Sequence, residues 1–162
     1  MCDMQETREV EAMTDIKKIL FPYDLSETGR EIIPYLLSVA ETYNSEVYLL
    51  HVVDDLGKWG KAYIPHPSMD TFQAEASKAA DKAMDEICEE QLKGYPSLQR
   101  KVISGDPITE ILKTIESEDI DLVIMGTHGR RGLEHMLMGS VAENVVKKSS
   151  VPVMTIHSRS AK

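Results

Sequence analysis

The sequence predicts a single α/β domain, an open five-stranded parallel sheet with helices on both faces. Three observations predict it. Five short β-rich runs alternate with four helical stretches, and that order implies parallel strands joined by right-handed crossovers. The runs are nearly continuous in apolarity, as in strands buried on both faces. Finally, 162 residues with 42% apolar content fit one core of ordinary size and leave no room for two full domains.

The first run is Ile16 to Leu25, where Ile19, Leu20 and Phe21 stop at Pro22. It reads as a buried strand ending in a loop. Ser26 then caps a helix with Ile32, Ile33, Leu36, Leu37 and Ala40 on one side. Pro34 sits inside that pattern, so either the helix kinks there or its regular part begins near Pro34. Glu46 to Val53 is the second strand. Asp54 to Asp70 holds two Gly, two Pro and the only Trp, and reads as a long irregular loop, either functional or an insertion. Thr71 to Leu92 is helical, with Ala76, Ala80, Ala83, Ile87 and Cys88 inward, and Gly94 and Pro96 end it.

Leu98 to Ser104 is the third strand. Asp106 is the N-cap and Pro107 the first residue of a helix that buries Ile108, Ile111, Leu112 and Ile115. Asp121 to Gly126 is a fourth buried strand. A Gly-rich loop leads into a helix from about Ser140 to Lys148, and Val151 to Ile156 is the fifth strand.

Charge and cysteine content exclude several classes. Lys and Arg total 18 against 27 Asp and Glu, a formal net charge of -9. That field opposes a broad electrostatic grip on nucleic acid or on an anionic membrane. The two cysteines, Cys2 and Cys88, lie far apart and belong to no CxxC or Cys/His pair, which argues against a disulfide framework or a zinc site. Two unpaired thiols suit a reducing cytoplasm. Residues 1–15 carry five acids and one Arg and lack the basic start and apolar stretch of a signal peptide. They read as a frayed acidic arm or a short helix, with the folded domain over 16–158 and a short tail over 159–162. No apolar run approaches the roughly 20 residues that cross a bilayer.

The chemistry concentrates in Met125 to Val145, which follows a strand and leads into a helix. Ligands of open α/β sheets sit at the carboxyl ends of the strands, where the strand order reverses. Gly126 and Gly129 permit close approach of a ligand. Gly139-Ser140 stands at a helix start, where free N–H groups and the helix dipole favour an anion and Ser140 adds a hydroxyl. Phosphate binding by backbone and hydroxyl is one reading; a Gly-rich turn with a Ser N-cap is the other. Arg130 and Arg131 make the loop less acidic than its surroundings. Neither GxxxxGK[ST] nor GxGxxG occurs.

What does occur is Gly-x2-Gly-x9-Gly-Ser, at Gly126, Gly129, Gly139 and Ser140. With ILFPYDLSE, LLHVVD, DLVIMGTHGRRG, GSVAENVVKKS and VPVMTI, this spacing resembles the ATP-binding signature of the universal stress protein family, from Lys17 to Ile156. The resemblance implies a Rossmann-like sheet of the adenine nucleotide alpha hydrolase type and ATP as ligand. By position it implies that Asp24 accepts hydrogen bonds from ribose hydroxyls, where the plain alternative is a turn or capping Asp. Pro22 and Tyr23 would line the nucleoside pocket. Val52 would read the adenine edge through its backbone, whether or not its side chain is core. Met125, Gly126, Thr127, His128 and Gly129 would pass beside the ribose and triphosphate, and Gly139, Ser140 and Val141 would hold phosphates. Any Mg²⁺ or Mn²⁺ would be held by the phosphates and water, since no carboxylate cluster announces a metal site.

A Ser140–His128–Asp24 triad is disfavoured, because GxSxG is absent and phosphate contact explains Ser140 better. His51, His66, His128, His135 and His157 are scattered without HExxH, and read as loop, surface or packing residues. His128 alone lies in the loop, facing either phosphate or solvent. No base for activating water is evident, so slow ATP hydrolysis at most is expected of a nucleotide-dependent regulatory or stress-response protein. The alternative is a dimeric interaction module of the same fold without nucleotide. The last strand, Val151 to Ile156, lacks the charges that guard an exposed edge, which predicts a homodimer through that strand.

Overall fold

The computed structural model describes residues 15–55, 67–127 and 138–157, with side chains from residue 71 onward in the second of these segments. Residues 1–14 of the acidic arm, 56–66 of the long loop with Trp59, 128–137 with His128, Gly129, Arg130 and Arg131, and the tail from 158 lie outside the described residues.

The strands are β1 (Lys18–Pro22), β2 (Glu46–Asp54), β3 (Leu98–Gly105), β4 (Leu122–Gly126) and β5 (Val153–Ile156). The helices are α1 (Glu27–Arg30), α2 (Ile33–Tyr43), α3 (Pro67–Gln91), α4 (Pro107–Ser117) and α5 (Ser140–Lys148). All strand pairs are parallel, in the order β3-β2-β1-β4-β5. Side chains alternate between the two faces. Ile19, Phe21, Val47, Leu49, Leu122 and Ile124 meet α2 and α3 on one face. Leu20, Leu50, Val123 and Met125 meet Ile111 and Ile115 of α4 and Ala142 and Val145 of α5 on the other.

Pro34 does not kink a helix; it restarts one. α1 ends at Arg30, and Pro34 takes the first turn of α2, where its missing N–H has no intrahelical partner to lose. The predicted caps form: Ser26 Oγ accepts from Gly29 N at 3.0 Å, and Asp106 Oδ1 accepts from Thr109 N at 2.9 Å.

Three expectations need correction. The third helix begins at Pro67, four residues inside the predicted loop, with proline at its first position. On that helix Ala76 and Ala83 are only half-buried, and Met84 is fully buried with Ile87. Ala80, Met84 and Ile87, spaced i, i+4 and i+7, form the inward stripe, with Ala76 and Ala83 at its margin. The last strand begins at Val153 and not at Val151. Ser149 Oγ takes the Val151 N–H at 3.2 Å, and Pro152 offers only its carbonyl, to Val123 N at 3.0 Å.

Candidate functional site

The strand order reverses at β1. The chain runs outward from it through β2 to β3, then returns to β4 on its other side. β1 and β4 pair only at Ile19↔Leu122 and Leu20↔Val123, although both strands run on. The next rung would need an N–H from Pro22, which has none, so the pairing stops at the carboxyl ends of β1 and β4, the switch point where open sheets hold a ligand crevice.

On the β1 side the chain leaves through Pro22, Tyr23 and Asp24. Tyr23 N–H donates to Leu50 O at 2.8 Å, so its backbone still lies along β2. Its ring turns into the core. It is 3% exposed, stacks on Phe21 with ring centroids 5.8 Å apart, and lies under Gly29. Tyr23 therefore follows the last residue of β1 with its ring in the core, and only its backbone lies at the carboxyl end of the strand. Burial pushes its phenol up, and the hydrogen bond to Arg30 opposes that. Arg30 also reaches Glu90 on α3 at 3.0 Å. Asp24 Oδ1 accepts from Ser26 N at 3.1 Å and Ser26 Oγ at 2.5 Å. This local turn aims the carboxylate, and Leu25, at φ 63, takes the left-handed turn that follows. The turn role of Asp24 is thus real, while Ser26 is the cap, and a carboxylate oxygen can accept more than one bond.

On the β4 side the chain leaves through Met125, Gly126 and Thr127. The Met125 side chain belongs to the core. Thr127 is pinned from both sides: its N–H donates to Ile156 O at 3.0 Å, and its carbonyl accepts from Gly139 N at 2.6 Å. Its hydroxyl meets His157 Nδ1 at 3.0 Å. The Gly139 bond closes the base of 128–137 and places the start of α5 beside the end of β4. Gly139 itself is extended, at φ -72 and ψ 156. It gives α5 no side-chain cap, unlike Ser26 on α1 and Asp106 on α4. The N–H groups of Ser140, Val141 and Ala142 are those a helix leaves unbonded in its first turn, and the dipole makes that end attractive to an anion. The Val141 side chain packs on the core, so only its backbone can serve a ligand.

β2 flanks the crevice beyond β1. Val52 packs on the second core cluster and pairs with Ile103 of β3. The sequence left His51 among loop, surface or packing histidines. It is 7% exposed, and its Nδ1 lies 2.7 Å from Tyr23 O. Its signal was a polar residue inside an otherwise apolar strand.

Pro22, Tyr23, Asp24, Val52, Met125, Gly126, Thr127, Gly139, Ser140 and Val141 thus gather at one end of the sheet; His128 and Gly129 lie outside the described residues. Among the described residues, no group of three or more His, Cys, Asp or Glu could hold a metal ion, and no helix is long and apolar enough to cross a membrane.

The universal stress protein family model matches residues 15–157. The universal stress protein MJ0577 of Methanocaldococcus jannaschii is 33% identical over 156 residues, spanning 86% of this chain and 94% of its own. The solved structure of MJ0577 superposes with a TM-score of 0.79 at 32% identity, covering 91% of this chain and 100% of that one. An Archaeoglobus fulgidus universal stress protein solved in complex with dAMP shares the fold, with a TM-score of 0.56 at 17% identity over 88% of this chain and 99% of its own. By the extent of the family match and by its relatives, the chain belongs to the universal stress protein family.

Proposed function

We propose that this protein is a nucleotide-dependent regulatory or stress-response protein of the cytoplasm that binds ATP in the crevice between β1 and β4. The observation that carries this reading is the reversal of strand order at β1, with pairing to β4 ending at Leu20↔Val123 and the uncapped start of α5 tied to Thr127 beside the end of β4. The site would be flanked by the Val52 peptide on one side and the first turn of α5 on the other. Adenine would lie against the Val52 backbone, and Asp24 would take the ribose hydroxyls. Gly126 leaves room where the chain turns away from β4. The N–H groups of Ser140 and Val141, with the Ser140 hydroxyl, would hold phosphates. Gly129 and His128 belong to the same reading through the glycine spacing. A Mg²⁺ or Mn²⁺ ion would be carried by the phosphates. Adenine-nucleotide complexes of proteins with this fold, such as the dAMP complex, support the ligand class.

Hydrolysis would be slow at most, because the described residues of the site offer binding groups and, among them, no base positioned to activate water. A second copy would dock on β5. That strand is last in the sheet order and carries Met154 exposed at 41%.

Two measurements test the ligand: mass analysis of small molecules released from purified protein, and thermal unfolding with excess ATP and Mg²⁺. At a ligand concentration of about 100 Kd the stabilisation is roughly 2.7 kcal/mol, or about 5–11 °C for a chain of this length. No shift at millimolar ATP would leave the interaction module as the reading.

A further inference from the structure

Along β2 the peptide groups face β1 and β3 by turns, as in any strand. The even-numbered residues face β1: Glu46 N–H donates to Lys17 O at 2.7 Å, and Leu50 O accepts from Tyr23 N at 2.8 Å. The odd-numbered ones face β3: Val47 N–H donates to Ser97 O at 2.8 Å, and Asp55 N–H to Gly105 O at 3.3 Å. Val52 therefore turns its N–H and C=O toward β1. Had the ladder run one rung further, Val52 N–H would donate to Tyr23 O. That rung does not form: the ladder ends at Pro22↔Leu50, and Tyr23 O, which could accept two bonds, takes one from a side chain. His51 Nδ1 lies 2.7 Å from that oxygen, and since a carbonyl can only accept, Nδ1 carries the proton. The side chain of one residue holds the carbonyl that the backbone of the next would have met, and turns it away from that rung.

We propose that His51 is a positioning residue that stops the β1–β2 ladder one rung early and keeps the Val52 N–H available for a ligand's acceptor. This rests on the proposed function in one respect: there, the ligand is adenine. The geometry adds two consequences. The same bond fixes the Tyr23–Asp24 peptide, so one imidazole sets both the base-reading peptide and the carboxylate that follows. And His51 is buried, so its hold on Tyr23 O is shielded from competing water.

The test uses the full chain and two variants. His51→Leu removes the donor at similar bulk, and His51→Asn keeps an N–H near the place of Nδ1. Amide hydrogen exchange in the nucleotide-free protein reads the ladder directly. In the wild type the Val52 amide should exchange faster than the Leu50 amide, which lies in the ladder opposite Pro22. In His51→Leu the Val52 amide should slow on the order of tenfold as it pairs with Tyr23 O. Titration with ATP and GTP reads the consequence. His51→Leu should lose roughly 3- to 10-fold in ATP affinity with GTP affinity unchanged, and His51→Asn should recover most of that loss.

Equal protection of the Val52 and Leu50 amides in the wild type overturns the inference, and so does an unchanged ATP-to-GTP ratio in a folded His51→Leu. If His51→Leu does not fold, the wild-type exchange comparison decides alone. If the exchange pattern holds and the wild type binds no nucleotide, the early ladder stop stands and the ATP reading falls.

Discussion

Replacing Gly29 with alanine sets two effects of opposite sign against each other. Alanine is the better helix former, worth up to about 1 kcal/mol over glycine inside a helix. Against that, a Cβ at Gly29 would lie 2.6 and 2.8 Å from two carbons of the Tyr23 ring and 3.2 Å from Asp24 Oδ1. Carbon atoms pack at about 3.5–4.0 Å, so something must move by roughly 1 Å. The ring cannot retreat, because Phe21 is stacked on it within the core. α1 must lift instead, which strains the Gly29 N–Ser26 Oγ cap and the turn that aims Asp24. Overpacking costs typically about 1–3 kcal/mol, and a weakened cap adds up to about 1. A net loss of about 1–2 kcal/mol follows, or roughly 2–8 °C in Tm. Urea unfolding should show a lower midpoint at unchanged slope, and ATP affinity should fall with it. A Gly29→Ala protein as stable as the wild type would refute the claim that Tyr23 is fixed beneath α1.

Four further outcomes are expected. Gly139→Val should fold, since its extended backbone suits valine, but should lose nucleotide, while Ser140→Ala weakens binding by about 1–2 kcal/mol; normal ATP binding by the Gly139 variant in calorimetry would displace the phosphate site. Met84→Ala should cost about 2–5 kcal/mol in urea unfolding, and a loss under about 1 would contradict its place in the core. Burial, with the hydrogen bond to the Glu46 carboxylate, pushes the Tyr48 phenol up to about 12. Its folded pKa lies above the unfolded value, so its contribution is present below about pH 10 and is lost as pH rises toward 12. Burial also raises Tyr23 and Tyr95, so ultraviolet titration should show a late phase that shrinks by one tyrosine in Tyr48→Phe. Met154→Lys should convert a dimer near 36 kDa, twice 18.2 kDa, to monomers by light scattering; a wild-type monomer at roughly 100 μM would exclude the β5 interface.

Much of the fold was legible because local signals agreed with the tertiary outcome. The apolar runs around Leu20, Leu49 and Ile124 became central strands, and Asp106-Pro107 opened α4 as its chemistry requires. The errors fell where a choice depended on a neighbour. Met84 and Ala83 are adjacent on one helix, and the rotation of that helix against the sheet decides which of them joins Ala80 and Ile87 in the core. The start of the fifth strand depended on Ser149 turning back to the Val151 amide.

The sequence by itself determined the class of the fold and the family, since spacing and periodicity are properties of the chain, and its glycine spacing is what points to the end of the sheet proposed for a ligand. Tertiary structure decided what each residue offers there. Tyr23 and Met125 present backbone because their side chains are needed in the core. Gly139 spends its N–H on Thr127 and leaves those of Ser140 and Val141. His51 meets Tyr23 O only because β1 and β2 lie side by side in a register that links residues 28 apart in the sequence. A hydrogen bond depends on distance and direction, and only the folded chain supplies those.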